Sequence, residues 1–357
     1  MQGDKVGLFC GDIQRGIEKI LVALDVSNAV LKEAADGKFD LIITHHPLYR
    51  KDFKNIIADD PISGKIYFAV QHDIAIYSAH TNLDFAPDGV SMTLAENIGV
   101  EVDGFLRSEC NEKLYKLVIF IPRNEFEKFR DEILKIGVGH IGNYSYCSFS
   151  TEGEGTFVPL PGTQPFIGET GKLEKVNEIR LETIVPQHLL KDALEIIATC
   201  HPYQEPAFDI YPIENNKIKG GFGVVGKFET TIKLADAIHR CKSKLPTQAI
   251  RYTGKAESFV RSVAILGGSG DSFITDVIDA GVDVFIAGEI GHHSAMALDE
   301  AKIATILPGH FATEWVVLPR VRDAAEKIAE EFGLTAIVRI SEVEQSIFKT
   351  ADKIKEM

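Results

Sequence analysis

The chain has 357 residues and eleven histidines, and six of these fall into four short clusters. They are His45-His46-Pro47, His80-Thr81-Asn82-Leu83-Asp84, His292-His293 and His310-Phe311-Ala312-Thr313-Glu314. Imidazole and carboxylate together suit borderline divalent ions such as zinc, iron, manganese or nickel. His310/Glu314 are spaced i, i+4, so a helix start near Thr313 lets both side chains face one way. His80/Asp84 have the same spacing, with a turn expected there. Two histidine pairs and two acids are enough donors for two ions. Two ions ~3.5–4 Å apart under a bridging carboxylate activate water near neutral pH and hold a leaving oxygen. Taken singly, each histidine is an ordinary surface or core residue, and each i, i+4 pair a helix-face hydrogen bond. What favours the metal reading is position, because every cluster lies just past a segment that reads as a strand.

Those segments are Leu41–Thr44, Ile74–Ser78, Val282–Ala287 and Ile303–Leu307, which are apolar and largely β-branched, as buried parallel strands are. In open α/β sheets ligands gather outside the carboxyl ends of the strands, where loops bring distant residues together. Pro47 helps hold His45 and His46 in such a loop. Around these strands the early chain alternates. Ile20–Asp25 is an apolar run ending in an acid, Ser27 reads as the N-cap of a helix over Ala29–Ala35, and Ser63–Gln71 reads as a helix. This β-α-β-α-β order predicts a doubly wound α/β layer.

The pattern changes near Gly104. Strand Leu114–Ile121, helix Asn124–Ile136, a loop and hairpin over Thr151–Gly171, strand Val176–Val185, helix Gln187–Ala198 and strand Phe208–Pro212 give a β-α-β-β-α-β, ferredoxin-like signature. Asn215–Gly223 reads as an exit linker. Alternation then resumes with helix Leu234–Ser243, strand Ser262–Leu266, a turn over Gly267–Asp271 and helix Phe273–Ala280. Helices Ser294–Ala301 and Thr313–Phe332 and strand Leu334–Ile340 complete it. The fold class is therefore α/β. One domain is built from both chain ends, residues 1–105 and 220–357, and an α+β domain, residues 106–219, is inserted in it. The outer segments hint at pseudo-repeats of one unit.

Composition narrows the function. Hydrophobic residues make up 45% and charged residues 25%, the balance of a globular protein. Fifty-two acidic against 38 basic side chains leave a net charge of −14, which disfavours nucleic acid as a partner. The five cysteines, Cys10, Cys110, Cys147, Cys200 and Cys241, are scattered and form no CxxC, as expected for a reducing cytoplasm. No apolar run is long enough to span a membrane, and the first residues do not read as a signal peptide. Gly267-Gly268-Ser269-Gly270 reads as a tight turn, with a phosphate cradle as the alternative. His201-Pro202-Tyr203-Gln204-Glu205-Pro206 is a constrained polar and aromatic loop, either a small-ligand or subunit contact or a rigid turn. Trp315 is expected beside the His310 turn.

Leu41–Leu48 (LIITHHPL), His80–Asp84 (HTNLD), Gly288–His293 (GEIGHH) and Gly309–Glu314 (GHFATE) resemble motifs of the Nif-three-like family, the type 2 homologs of GTP cyclohydrolase I. Val6–Asp12 and Val22–Val26 also fit, so the likeness covers nearly the whole chain. The resemblance implies a dinuclear centre of two divalent ions (zinc, iron or manganese) held by His45, His46, Asp84, His310 and Glu314, with Asp84 or Glu314 as the natural bridge. His80 and His293 are then outer or proton-transferring residues. It further implies that the insert, through His201–Tyr211, resembles the PII/CutA fold, and that the chain forms a toroidal homohexamer. The implied reaction is hydrolytic opening of the GTP imidazole ring at C8 with release of formate, or hydrolysis of a related small nucleotide. No P-loop or basic cluster for a triphosphate is evident, which leaves Arg50, Lys51 or the Gly267–Gly270 segment for that task. The alternative is a non-enzymatic metal-handling or small-ligand-sensing protein. Relatives usually begin with a helix before a Trp-Asp-Asn-Val-Gly-Leu stretch. This chain opens at Gly3-Asp4-Lys5-Val6-Gly7-Leu8, with Lys5 for Asn and that helix expected to be either absent or cut off.

Overall fold

The computed structural model describes residues 4–108, 113–142, 144–214 and 220–349. Gly3, Cys110 and residues 215–219 of the expected linker lie outside them. The chain divides into two compact units, Met1–Glu109 with Lys219–Met357, and Cys110–Ile218.

The first part of the larger unit runs β1 (Gly7–Cys10), β2 (Lys19–Ala23), α1 (Asn28–Gly37), β3 (Leu41–Thr44), α2 (Ser63–Gln71), β4 (Ala75–Ser78), α3 (Thr81–Phe85), α4 (Val90–Ile98) and β5 (Val100–Ser108). The smaller unit comprises β6 (Leu114–Pro122), α5 (Phe126–Lys135), β7 (Ser148–Phe157), β8 (Glu174–Pro186), α6 (Leu190–Cys200) and β9 (Phe208–Ile213). The larger unit resumes with β10 (Gly221–Lys233), α7 (Leu234–Lys244), β11 (Arg251–Tyr252), β12 (Phe259–Ser269), α8 (Ile274–Ala280), β13 (Val284–Glu289) and α9 (His292–Glu300). It ends with β14 (Ala304–Leu307), α10 (His310–Glu314), α11 (Leu318–Glu331) and β15 (Ile337–Ile340).

The larger unit holds two sheets, ordered β1-β4-β3-β2-β15 and β11-β14-β13-β12-β10-β5. In each, three consecutive parallel strands carry an antiparallel edge strand beside the last of them. The orders 1-4-3-2 and 11-14-13-12 match, so the two chain segments build one topology twice. A five-residue helix, α3 or α10, follows the last parallel strand of each copy. The segments also trade strands. β15 runs parallel beside β2, and β5 lies antiparallel beside β10.

Local sequence explains the inner elements. β2 and β13 are apolar on both faces and bury almost every residue, as covered parallel strands do. Ser27 caps α1 by accepting from the Val30 N–H at 3.1 Å, and Lys38 in left-handed conformation closes its other end. In the smaller unit the antiparallel order is β7-β8-β6-β9. Its core, with Leu117, Ile119, Phe129, Ile133, Leu181 and Ile197, lies between the sheet and helices α5 and α6.

Several expectations are corrected. Gly267–Ser269 are not a turn but the last residues of β12. Within Thr151–Gly171, read as loop and hairpin, Thr151–Phe157 are all strand and continue β7 along β8, because cross-strand pairing overrides two glycines. Gly221–Gly223 begin the long strand β10 instead of ending a linker. The single helix expected over Thr313–Phe332 is α10, a short 3-10 turn and α11. His80 and Asp84 lie on helix α3 and its N-cap, not in a turn. Among the described residues no helix is long and apolar enough to cross a membrane.

Candidate metal centre

Four histidines converge at the carboxyl ends of the parallel strands. His45 and His46 follow β3, His80 follows β4 as the N-cap of α3, and His310 opens α10 after β14. Two trios have ligand atoms within 4.8 Å of one another, His45/His46/His80 and His46/His310/Glu314, with His46 common to both. Asp84 joins them through its Oδ1, 3.6 Å from His45 Nε2.

Each ring is fixed through Nδ1. His45 Nδ1 pairs with the Ala79 carbonyl at 2.9 Å. His46 Nδ1 pairs with Asp25 Oδ1 at 2.9 Å, His80 Nδ1 with Asp4 Oδ1 at 2.9 Å, and His310 Nδ1 with Glu289 Oε1 at 3.1 Å. An acceptor on Nδ1 sets the tautomer that leaves the Nε2 lone pair for a cation, as outer residues of metal sites do. The anchors are themselves held. Asp4 Oδ2 accepts from the Thr81 hydroxyl at 2.6 Å, and the Asp25 N–H donates to Glu344 Oε1 at 2.7 Å.

Two buried atoms lack a hydrogen-bond partner among the described residues, His45 Nε2 and Glu314 Oε2. Glu314 Oε2 lies 3.0 Å from His46 Nε2 and 3.1 Å from His310 Nε2, but neither approach has hydrogen-bond geometry. His45 Nε2 stands 3.8 Å from Glu314 Oε1. Leaving a buried polar atom unpaired costs about 1–3 kcal/mol. Inward lone pairs, two carboxylates and two orphaned atoms are the donor set a divalent cation satisfies, so the residues fit a metal.

Electrostatics agree. Burial raises the Asp84 carboxyl to about 6, with the nearby His45 charge opposing it. Burial lowers His46, but its hydrogen bond to Asp25 and the close negative charges of Glu314 and Asp25 outweigh it and bring the imidazole to about 10. Glu314 is held well below its ordinary value, because the close imidazoles of His310, His45 and His46 overcome its burial. Without a cation, protons on the histidines balance the carboxylates.

The shape of the pocket comes from glycine. Gly268 has φ +70°, and a Cβ there would overlap Glu314 Oε1. Its N–H donates to Thr313 Oγ1 at 3.1 Å, tying the end of β12 to α10. A Cβ on Gly288 would meet the Gly268 carbonyl at 2.6 Å and His310 Cα at 2.8 Å. The glycine run therefore makes room for Glu314, a role its local sequence does not reveal.

His45, His46, His80, Asp84, His310 and Glu314 are thus brought together. His293 is exposed on the first turn of α9 beside His292, ring centroids 5.5 Å apart, and belongs to neither trio. Sequence reading missed the anchors Asp4, Asp25 and Glu289. The signal available was their placement, Asp25 closing an apolar strand run and Glu289 lying inside GEIGHH. Asp25→Ala is expected to weaken metal binding about 10–100-fold with the fold intact, as loss of an outer partner does, read by competition with a chromogenic chelator.

Comparison with known proteins gives a consistent result. The Duf34/NIF3 (NGG1p interacting factor 3) family model matches residues 1–346. A protein named GTP cyclohydrolase 1 type 2 homolog from Bacillus subtilis is 39% identical over 312 residues, 87% of this chain and 84% of its own length. Its namesake in Halalkalibacterium halodurans is 35% identical over 331 residues, 93% of this chain and 89% of its own. Among solved structures, a Bacillus cereus protein related to NIF3 aligns with a TM-score of 0.81 at 35% identity, covering 98% of this chain and 94% of that one. Staphylococcus aureus protein SA1388 aligns with a TM-score of 0.75 at 27% identity, covering 98% and 93%.

Proposed function

The chain belongs to the Duf34/NIF3 family, and from that premise we propose that it is a metal-dependent hydrolase with a dinuclear centre acting on a small nucleotide. The reaction we assign is the one the family resemblance implies, opening of the GTP imidazole ring with release of formate, and the name of its relatives, GTP cyclohydrolase 1 type 2 homolog, supports that choice. The observation that carries the metal reading is the pair of buried, unpartnered atoms, His45 Nε2 and Glu314 Oε2, inside a ring of anchored imidazoles.

His45, His46, Asp84, His310 and Glu314 would hold two zinc, iron or manganese ions, Glu314 being the carboxylate that faces three imidazoles. Such ions supply Lewis acidity and lower the pKa of water. The chain's own residues do the rest. The Nδ1 contacts of His45, His46 and His310 keep their Nε2 atoms aimed inward. His80, oriented by Asp4 and only partly buried, would deliver a proton to the substrate's leaving nitrogen. His293, exposed on α9, is the second proton-transfer candidate. The β-α-β-β-α-β unit is read as a ferredoxin-like, PII-type insert, and the assembly as a cytoplasmic homohexamer. Sedimentation should then give a mass near six times that of one chain.

Metal content and turnover test this reading. Protein purified without chelator should carry about two first-row ions per chain and release formate from GTP. Metal-loaded protein that releases no formate from GTP and hydrolyses none of a panel of nucleotides would rule out the catalytic part.

Metal uptake should also expel protons, because the cation must displace those on His46 and its neighbours. With His46 at about 10, metal affinity is expected to rise with pH through neutrality. Titration calorimetry in two buffers of different ionisation enthalpy measures the protons released. A buffer-independent heat would contradict the expectation.

A further inference from the structure

The smaller unit contains a cavity of about 300 Å³ that has no part in the chemistry above. Its walls include Phe120, Phe157, Phe166 and Tyr203, and two carboxylates line it, the partly buried Glu178 beside the rings and the exposed Glu205. Among the described residues no lysine or arginine lines it. The Phe157 and Tyr203 rings are 5.8 Å apart and inclined at 62°, and Phe166 and Tyr203 are 6.4 Å apart at 57°.

We propose that this cavity binds a small organic ammonium ion, caged by Phe157, Phe166 and Tyr203 and neutralised by Glu178. Inclined rings enclose a rounded cation with their π-faces, whereas a planar heterocycle prefers parallel faces. Carboxylate among aromatic rings attracts positive charge, but Glu178, one oxygen of which already accepts from Tyr203, and the exposed Glu205 give too few oxygens for a metal such as calcium. An anion would meet repulsion. A neutral apolar guest would leave the carboxylate desolvated and uncompensated.

The cage is built before any ligand arrives. The Tyr203 hydroxyl donates to Glu178 Oε1 at 2.9 Å, and the Tyr203 N–H donates to His201 Nδ1 at 3.1 Å. His201 Nε2 in turn donates to the Phe120 carbonyl at 3.0 Å. The Gln164 N–H donates to Gln204 Oε1 at 3.2 Å, which ties the loop carrying Phe166 to the loop carrying Tyr203. Gly155 leaves the room Glu178 needs, since a Cβ there would overlap its carboxylate. Burial and the Glu178 charge push the Tyr203 phenol upward, so it stays a neutral donor.

The test is calorimetric titration of the full-length, metal-loaded protein with choline and with its neutral isostere 3,3-dimethylbutan-1-ol. Choline should bind saturably, and the isostere about tenfold more weakly or less. Glu178→Gln, which keeps the shape and the Tyr203 hydrogen bond, should erase that preference. Phe157→Leu should weaken choline about tenfold, while Tyr203→Phe, which keeps the ring, stays within a few-fold of the native chain. Unchanged metal content and melting temperature certify that the variants fold. A trimethyl-lysine amide as a further titrant separates a free small cation from a side chain on another protein. Equal affinity for choline and the isostere, no saturation by any ammonium probe, or full binding in Glu178→Gln would overturn the proposal.

Discussion

Glu314→Gln should strip the protein of metal. The change preserves shape and removes one charge, but that charge sits 5% exposed among three imidazoles. Loss of an outer partner costs about 10–100-fold in affinity, so loss of the central carboxylate should cost more than ~100-fold. Turnover of any nucleotide substrate should fall with it, while far-ultraviolet circular dichroism stays native. The metal-free protein carries a second, pH-dependent signature. Paired with Glu314, His46 has a raised pKa, so its stabilisation is complete below the ordinary histidine value of 6.5 and is lost as pH rises through about 10. Glu314 has a depressed pKa, so its stabilisation is present above 4.5 and is lost as pH falls through its folded value. The melting-temperature gap between native and Glu314→Gln chains, both stripped with chelator, should be widest between 4.5 and 6.5 and close toward 10. A gap that widened with rising pH would mean that the carboxylate is not paired with charged imidazoles.

Gly268→Ala should produce nearly the same loss of metal without touching a ligand. Alanine at φ +70° pays about 1–2 kcal/mol for the left-handed conformation, and its methyl group then overlaps Glu314 Oε1. The carboxylate must move, and His310, whose Cε1 would lie 3.4 Å from that methyl, is disturbed too. Gly281→Ala is the matched control. Gly281 has φ +61° with nothing within reach of a Cβ, so that variant bears only the conformational strain. The expected result is a similar modest fall in melting temperature for both and loss of metal in Gly268→Ala alone, read by plasma mass spectrometry. Full metal content in Gly268→Ala would show that Glu314 has space the structure does not give it.

Residue types and spacing determined much of this protein. His-His-Pro after LIIT, and an acid four residues beyond His80 and His310, are local patterns. A run of apolar β-branched residues makes a buried strand, and the residues just after such a strand must emerge at the sheet's carboxyl edge. The donors were therefore legible one cluster at a time, and so was the α/β class. The tertiary structure decided how those clusters are held. Asp25, Asp4 and Glu289 anchor histidines 21, 76 and 21 residues away, pairings that come from strand order rather than from any local pattern. Sheet pairing likewise turned Gly267–Ser269 of the expected turn and Gly221–Gly223 of the expected linker into strand, because hydrogen bonds to neighbours outweigh glycine's weak local preference. It drew His80 into the cluster and left His293 on an exposed helix start. Above all it placed Gly268 against Glu314, a contact across 46 positions that only packing creates. Side-chain chemistry is written residue by residue. The space and the partners that give it a function come from elements meeting in three dimensions.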